Sequence, residues 1–570
     1  MKKLLISALL PIVAIAQDGA SQISYRLSSA SPLKNVHSKF VAMIDASDYA
    51  FSPKPGAGSL APGSNTITMT PVPTGLNGTD TAHYLYVSGG TGTAEACLIT
   101  GGTATSAAST GTVIMTCANS HSGAWTVQSA GGGIPEAYYS AIVPMTIGIP
   151  SGVIVLHAPL TINRDYVTLQ CAGNQTTTLM GDFPSGDIVK VGTGSPSVVG
   201  FGLFGCKIDS SVVKVSGAGI HLNNVVRSAL TNVYTPGQDG SANLLDGMWF
   251  DKVDAVYVNG FQANSSRDAI RINGTVGGGA KAGLFMMQGK VQSSTNCVHV
   301  GGAFGGLNLD QTDIIACSVG LLIDTALAAE QNREIFIGPT VAIDSNTTYG
   351  IYLNEPFNNG YLGLSGTWIA SNTDGLGIAS GACGNCTINY TGGTIFSNSG
   401  NGVLNNSDAG AKINISNVAI RYNGIGLNQN VATASAAVNF RVSGNVFSNN
   451  TLDVNGYIGL YLASLSVGLN NDLPISTSST VDVIAPMGLT FTITGLQRGA
   501  PGQIINIVNN TTSTMTLANS SASSSVLNRI ITYTGADVVM PAGQCIATLI
   551  YDAYRSSWML MSVRGAGVSP

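Results

Sequence analysis

Ile343-Asp344-Ser345-Asn346, Ile369-Ala370-Ser371-Asn372, Ile395-Phe396-Ser397-Asn398, Ile420-Arg421-Tyr422-Asn423 and Val446-Phe447-Ser448-Asn449 repeat one short phrase. Their asparagines are 26, 26, 25 and 26 residues apart. The first four copies are followed within four residues by a glycine and an aliphatic: Gly350-Ile351, Gly375-Leu376, Gly402-Val403 and Gly424-Ile425. A period in the twenties is the signature of a solenoid.

Around each phrase the apolar residues alternate with period two, as in Ile335/Ile337, Val341/Ile343 and Ile351/Leu353, then Leu362/Leu364, Thr367/Ile369 and Leu376/Ile378. This is strand patterning, and one repeat therefore carries three short strands. Asn tolerates left-handed backbone better than any side chain except Gly, so each Asn is expected at a sharp turn between two strands, its amide bonding from coil to coil. Such a file resembles the asparagine ladder of right-handed parallel β-helices, and the chain resembles the pectate-lyase-like superfamily, which includes secreted β-helix proteins and phage tailspikes. The pattern runs back through Ile314/Cys317, Val291/Ser294 and Phe261/Asn264, so the resemblance covers about residues 145–455. It implies an all-β fold class, a right-handed parallel β-helix flanked by N-terminal and C-terminal small β domains. It leaves activity open, because one fold hosts many chemistries.

Outward from the repeat, residues 1–16 read as a signal peptide: Met1-Lys2-Lys3 is basic, Leu4 to Ile15 is apolar, and Ala14-Ile15-Ala16 is a small-x-small cleavage site. Residues 17–127 form a first β-rich domain, read as a small sandwich or barrel with strands at Val36-His37, Phe40 to Met43, Thr66 to Met69 and Tyr84 to Val87. Residues 128–144 hold a single short helix over Gly132 to Ala141 and the entry to a solenoid spanning 145–465, an order that resembles the capped entry of tailspikes. Two insertions interrupt the β pattern, at 232–247 and at Asp324 to Glu334, the latter rich in helix formers. The repeat is expected to stop near 465. Residues 466–570 supply seven further strands, and Gly499, Gly502, Gln503, Ile505, Ile507 and Asn509, with Pro541 to Gln544, resemble the small β-sandwich-like modules of phage tail fibres and spikes.

Charged residues are 9% of the chain against about a quarter in ordinary proteins, while 44% is apolar, which describes a folded protein with a neutral polar surface. A net charge of −5 without a basic run excludes nucleic acid as a partner, and no stretch has the roughly 20 apolar residues of a membrane span. Such a surface suits polysaccharide or a cell-surface glycan. Of the nine cysteines, Cys97 and Cys117 flank two strands and form the best disulfide candidate. Cys383-Gly384-Asn385-Cys386 has redox spacing without the βαβ context of a redox site, and no second Cys or His pair accompanies it for zinc.

Asn372-Thr373-Asp374-Gly375 resembles the N-T-D-G of polygalacturonases, which makes Asp374 a catalytic candidate by resemblance. The family's following D-D, G-H-G and R-I-K are missing here, and one carboxylate cannot be both acid and base. A lyase needs an Arg or Lys base and usually calcium, so calcium is the one cofactor the sequence leaves open. Strand alternation points Arg271 (in Ala269-Ile270-Arg271-Ile272), His299, Tyr352 and Trp368 outward. Asp268 and Arg271 are the catalytic candidates of that face, beside Arg267, and His299, Tyr352 and Trp368 the substrate-binding ones, placed along one side near the 232–247 insertion. The functional expectation is an extracellular carbohydrate-interacting β-helix protein, secreted or at the cell surface, with lyase or glycoside hydrolase activity left open. Two alternatives stand beside it: a homotrimeric phage tailspike on a virion tail, or a non-enzymatic secreted adhesin. A secreted solenoid enzyme is expected to be a monomer, which separates it from the tailspike.

Overall fold

The computed structural model describes residues 43–565 together with 24–25 and 34–35, apart from 57, 82, 237–242, 275–282, 303–304, 325–333, 356, 408–410, 431–439, 456–459, 474, 476–479, 486–487, 500 and 544. The expected signal peptide, the strands expected within 36–42, the insertion expected to be helical at 325–333 and residues 237–242 of the expected 232–247 insertion lie outside the described residues. The protein is nearly all β and forms a parallel β-helix of about 13 turns. It divides into two compact units, residues 1–271 with 282–289, and 272–281 with 290–570.

In the first unit the solenoid starts earlier than the repeat announces. Met43–Asp45 pairs parallel with Met145–Ile149, so the β domain that follows is an insertion between strands of two successive coils. That domain is one six-stranded antiparallel sheet, where the sequence suggested a sandwich or barrel. Its apolar face has Leu85, Val87, Ile99, Val113, Met115 and Val127, and the connecting segments cover it with Val72, Leu76 and Ala104. A second sheet is unnecessary because the turns themselves carry apolar side chains. Cys97 and Cys117 are joined on adjacent strands, and Cys171 is joined to Cys206. The helix Ile134–Ser140 follows, with Pro135 in its first turn and Gly133 at its N-cap in left-handed conformation, φ 89°. A Cβ on Gly133 would lie 2.2 Å from the Ala46 carbonyl oxygen, so the close approach also requires glycine. Its Glu136 is fully buried and held by His83 (3.0 Å) and Ser129 (2.8 Å).

In the second unit successive coils stack in register. Ile335, Leu362, Ile388, Ile413 and Phe440 form one inward file and Ile343, Ile369, Ile395 and Ile420 another, all nearly or fully buried. At the bend after the second file the asparagines are hydrogen-bonded coil to coil. Asn346 Nδ2 donates to Asn372 Oδ1 (3.0 Å), Asn372 to Asn398 (3.0 Å), and Asn398 to Asn423 (2.9 Å). Each Oδ1 also accepts the backbone N–H of the preceding Asn, at 3.0–3.1 Å.

Two details differ from the sequence reading. The left-handed residue is the one before each Asn: Ser345, Ser371, Ser397, Tyr422 and Asn449 have φ of 55–58°. Their side chains point away from the core, so the backbone strain falls where no packing is lost. The fifth rung is Asn450, which accepts from Asn423 at 2.9 Å, because Phe447 and not Val446 is in register with Ile420. The conserved spacing of the phrase hides this one-residue shift. The glycine column runs through Gly320, Gly350, Gly375, Gly402 and Gly426, with Gly426 in place of Gly424. A Cβ on any of these would lie 2.5–2.6 Å from the carbonyl oxygen of the next coil.

Coiling also outlasts the phrase. Leu460–Ser464, Thr480–Ala485 and Ile504–Asn509 pair parallel, as do Gly468–Asn470, Phe491–Ile493 and Met515–Leu517, giving further turns of two strands each. Antiparallel strands Val538–Met540, Cys545–Asp552 and Ser557–Arg564 then close the two sheets around Phe491, Ile505, Ile507, Met515, Leu549 and Trp558. The repeat vanishes from the sequence there because a two-strand turn has no Asn-bearing bend.

Asn398→Ala removes the acceptor of the buried Asn372 N–H and is expected to cost about 1–3 kcal/mol. Gly402→Ala, which forces a Cβ against a backbone carbonyl, is expected to cost about 1–3 kcal/mol. Urea unfolding checks both, with exposed Ser399→Ala as the neutral control.

Candidate functional site

In a chain this poor in charge, one patch of the first unit concentrates it. The strands Leu160–Ile162, Val189–Val191, Ala218–Asn223 and Asp246–Asp251 stack in parallel, and their register aligns Thr161, Lys190, His221 and Trp249. Each sits between inward aliphatics or aromatics, in Val-Lys-Val, Ile-His-Leu and Met-Trp-Phe, so alternation turns it outward. Arg271 of the strand Asp268–Asn273 belongs to the same kind of triplet, Ile-Arg-Ile.

The side chains of this column are stacked. The His221 ring lies parallel to Trp249 at 4.0 Å and 1°, and the Arg271 guanidinium sits 4.5 Å from the Trp249 ring centroid. Buried carboxylates hold the cations from behind. Asp187 accepts from Ala218 N (2.9 Å) and pairs with His221 Nδ1 (2.8 Å). Asp246, fully buried, takes a bidentate contact from Arg267 at 2.9 and 2.5 Å and a longer one from Arg271 at 3.4 Å. Asp268 is 1% exposed and lies 3.5 Å from Arg267 Nε. The anionic ends are therefore inside and the cationic ends outside. Lys190 and the Arg267 and Arg271 side chains keep partial exposure.

The ionisation states follow from these contacts. Burial raises the Asp187 pKa, but the His221 hydrogen bond and charge, the Ala218 N–H and Lys190 outweigh it, and the carboxyl is held below its usual range. Hydrogen bonding to Asp246 raises the Arg267 pKa. Burial raises that of Asp251. Close by in sequence, Lys214 is 2% exposed, donates to the Phe183 carbonyl (2.9 Å) and lies 3.9 Å from the Phe183 ring centroid; burial lowers its pKa to about 8, against the opposing pull of Asp187.

The sequence candidates do not all lie on one sheet. Arg271 and Asp268 fall in this patch, but Asp268 is a buried support rather than an accessible base. His299 belongs to the second unit, where it is in register with Leu322. Tyr352 lies in the same unit, its ring stacked on Tyr349 at 4.1 Å and 7° over the open backbone of Gly377. Trp368, 39% exposed, is on the strand Trp368–Ala370 of a different sheet, near Phe396 (5.5 Å), so it does not share a side with Tyr352. Asp374 is 9% exposed and accepts both the backbone and the side-chain amide of Asn401, at 2.7 and 2.8 Å. Those bonds tie one coil to the next, in line with Asn401 to Asn428 and Asn428 to Asn455, and give Asp374 a structural occupation.

Lys190, His221, Trp249, Asp187 and Asp246 were not singled out from sequence. The triplets Val-Lys-Val, Ile-His-Leu and Met-Trp-Phe were the signal that could have found the first three. Asp187 and Asp246 become visible only with the coil register. Calcium has no fitting donor set in the patch, since Asp187, Asp246 and Asp268 each face a protein cation. Among the described residues, the group with metal-ligand spacing is Glu95, Cys97 and Cys117, and its two sulfurs are bonded to each other. Cys383 and Cys386 are also joined, fully buried, and Cys545 is a buried free thiol.

No protein-family model matches the sequence, and no curated protein matches it. Among solved structures the chain is similar to the A-module of mannuronan C-5 epimerase AlgE4 of Azotobacter vinelandii, at 12% identity over 55% of this chain and 89% of that one, with a TM-score of 0.37. It is similar to the tailspike protein gp49 of Pseudomonas phage LKA1, at 10% identity over 82% and 70%, with a TM-score of 0.27. It is also similar to the catalytic unit of a GH87 alpha-1,3-glucanase of Streptomyces thermodiastaticus, at 12% identity over 80% and 85%, with a TM-score of 0.28. The likeness is one of fold, the parallel β-helix.

Lys214 gives the patch a measurable signature. Its folded pKa of about 8 lies below the usual value near 10.4, so between those pH values the folded chain binds fewer protons than the unfolded one. Stability therefore gains from this group as pH rises across that window. Comparing urea midpoints of the protein and Lys214→Met at intervals from about pH 7 to 11 is expected to show the gain only with lysine present.

Proposed function

We propose that the chain is an extracellular carbohydrate-interacting protein whose first unit contacts an acidic polysaccharide along the Lys190, His221, Trp249 and Arg271 column. The observation that carries this reading is the His221–Trp249–Arg271 stack with its buried carboxylates. A guanidinium held flat against an indole presents its fork to a carboxylate, and the indole edge offers apolar surface to a sugar ring. The four disulfides support an oxidising location, outside a cell or on a virion. No helix among the described residues is long and apolar enough to cross a membrane.

A second reading, in which the same column also turns the polysaccharide over, is favoured by the Asp187–His221 pair. Asp187 engages Nδ1, and Nε2, which is buried, has no partner among the described residues, so in this reading a bound ligand reaches it by displacing the covering side chains and exchanges a proton there. In this reading Asp187 is a positioning residue.

The test is binding of the full chain to polygalacturonate and alginate, with products assayed as reducing ends and unsaturated sugars. Lys190→Ala combined with Arg271→Ala is expected to weaken binding about tenfold, with the melting temperature nearly unchanged. Raising salt to about 0.5 M is expected to weaken the unaltered protein similarly, since exposed charges are screened. Unchanged affinity in the double variant sinks the site. His221→Ala that lowers turnover without lowering affinity separates the second reading from binding alone.

A further inference from the structure

Another surface, in the second unit, is built on different chemistry. The strands Glu334–Ile337, Tyr361–Ser365, Thr387–Thr391 and Lys412–Ser416 run parallel, and their register lines up Phe336, Gly363, Asn389 and Asn414 in one outward file and Ser365, Thr391 and Ser416 in the next. An open groove of about 240 Å³ runs over the first three of them, lined by Phe336, Tyr361, Gly363, Ser365, Asn389 and Thr391. Gly363 keeps it open: a Cβ there would lie 2.8 Å from Tyr361 Cε1 and 3.4 Å from Phe336 Cδ1. The two rings stand on either side of that gap, centroids 5.4 Å apart and planes 44° apart, with Phe336 40% exposed.

The polar groups are oriented as well. Asn414 Nδ2 donates to Asn389 Oδ1 at 2.7 Å, and Asn389 Nδ2 donates to the Tyr361 hydroxyl oxygen at 3.2 Å. This file fixes which way each amide faces. Among the described residues no hydrogen bond engages the Tyr361 hydroxyl hydrogen at one end or Asn414 Oδ1 at the other, a donor and an acceptor. No residue lining the groove is charged. Glu334 and Lys412 stand at the strand starts, one of each sign, and Arg441, which follows Asn414 in the file, lies outside the groove lining.

We propose that this groove binds an uncharged pyranose chain, as a second glycan surface of the protein. Tilted rings with an apolar gap suit the C–H face of a sugar, and groups that donate at one end and accept at the other suit hydroxyls, which do both. An anionic chain finds no countercharge among the residues that line the groove. The proposal extends the carbohydrate reading but uses none of the residues of the charged column.

The experiment measures affinity of the full chain for a β-1,3-glucan, a β-1,4-mannan and polygalacturonate. Phe336→Ala with Tyr361→Ala is expected to lose about tenfold or more on an uncharged glycan and nothing on polygalacturonate. Lys190→Ala with Arg271→Ala is expected to show the reverse pattern. Binding to an uncharged glycan that persists in the Phe336/Tyr361 variant overturns the groove assignment, and so does failure of the intact protein to bind either uncharged glycan. Should the double variant unfold, Tyr361→Phe and Gly363→Val ask the same question, by removing one hydroxyl or filling the gap. Loss on the uncharged glycan in either supports the groove, and full retention in both overturns it. Failure on polygalacturonate alone speaks only to the charged column.

Discussion

The second unit's solenoid depends on a close approach of backbone at one bend. Between coils, a glycine Cα passes within a missing Cβ's reach of the next coil's carbonyl, and an asparagine amide fills the space beside it. Neither half works alone. Without the glycine the coils cannot close to strand spacing at that bend, and without the amide the buried N–H of each Asn has no acceptor. Because Oδ1 accepts twice and Nδ2 donates to the next Oδ1, each rung stabilises its neighbour, and the file is cooperative along the stack. The file also runs into a disulfide-bonded residue: Cys317, joined to Cys297, donates its N–H to Asn346 Oδ1 at 3.1 Å. A covalent bond thus fixes the residue at that end of the file.

What could be read beforehand follows from this constraint. A position where only Asn or only Gly fits shows in a sequence, so the period, the strands per coil and the fold class were legible from five short phrases. Positions with looser requirements were not. The left-handed residue is Ser in three coils, Tyr in one and Asn in one, and such variety left it unmarked while the constant Asn drew the assignment. Val446 displaced the fifth rung on paper because Val and Phe are equally acceptable inside, so only register distinguishes them. The start of the solenoid at Met43 and its two-strand turns after 460 carry no bend motif at all.

The candidate site was half legible for a similar reason. Alternation gives the face of a side chain but not its neighbours in adjacent coils, which depend on insertions of unequal length. Arg271 was therefore readable as outward, whereas its stacking on Trp249 and the support of Asp246 required the register between Ala218–Asn223 and Asp246–Asp251. Parity placed Trp368 outward correctly but could not say on which sheet, since a coil has three outward faces. Asp374 shows what a motif leaves out: its Oδ1 accepts twice from Asn401 of the next coil, a contact that only the register reveals.

A parallel solenoid imposes a particular logic on surface chemistry. Each outward position recurs once per coil, so unlike residues in one file are brought to strand spacing, and like charges in successive coils repel. The first unit answers by backing its basic side chains with buried carboxylates, Asp187 against His221 and Asp246 against Arg267 and Arg271. The second unit sets amides in successive coils, which satisfy one another head to tail. Both solutions hold side chains in fixed orientation without a ligand. A surface arranged in that way gives up little conformational entropy when something binds, and this matters most for a ligand as weakly interacting as a sugar. The sparse charge of the chain is in keeping with its fold, because an outward ion is brought to strand spacing from whatever stands one coil away.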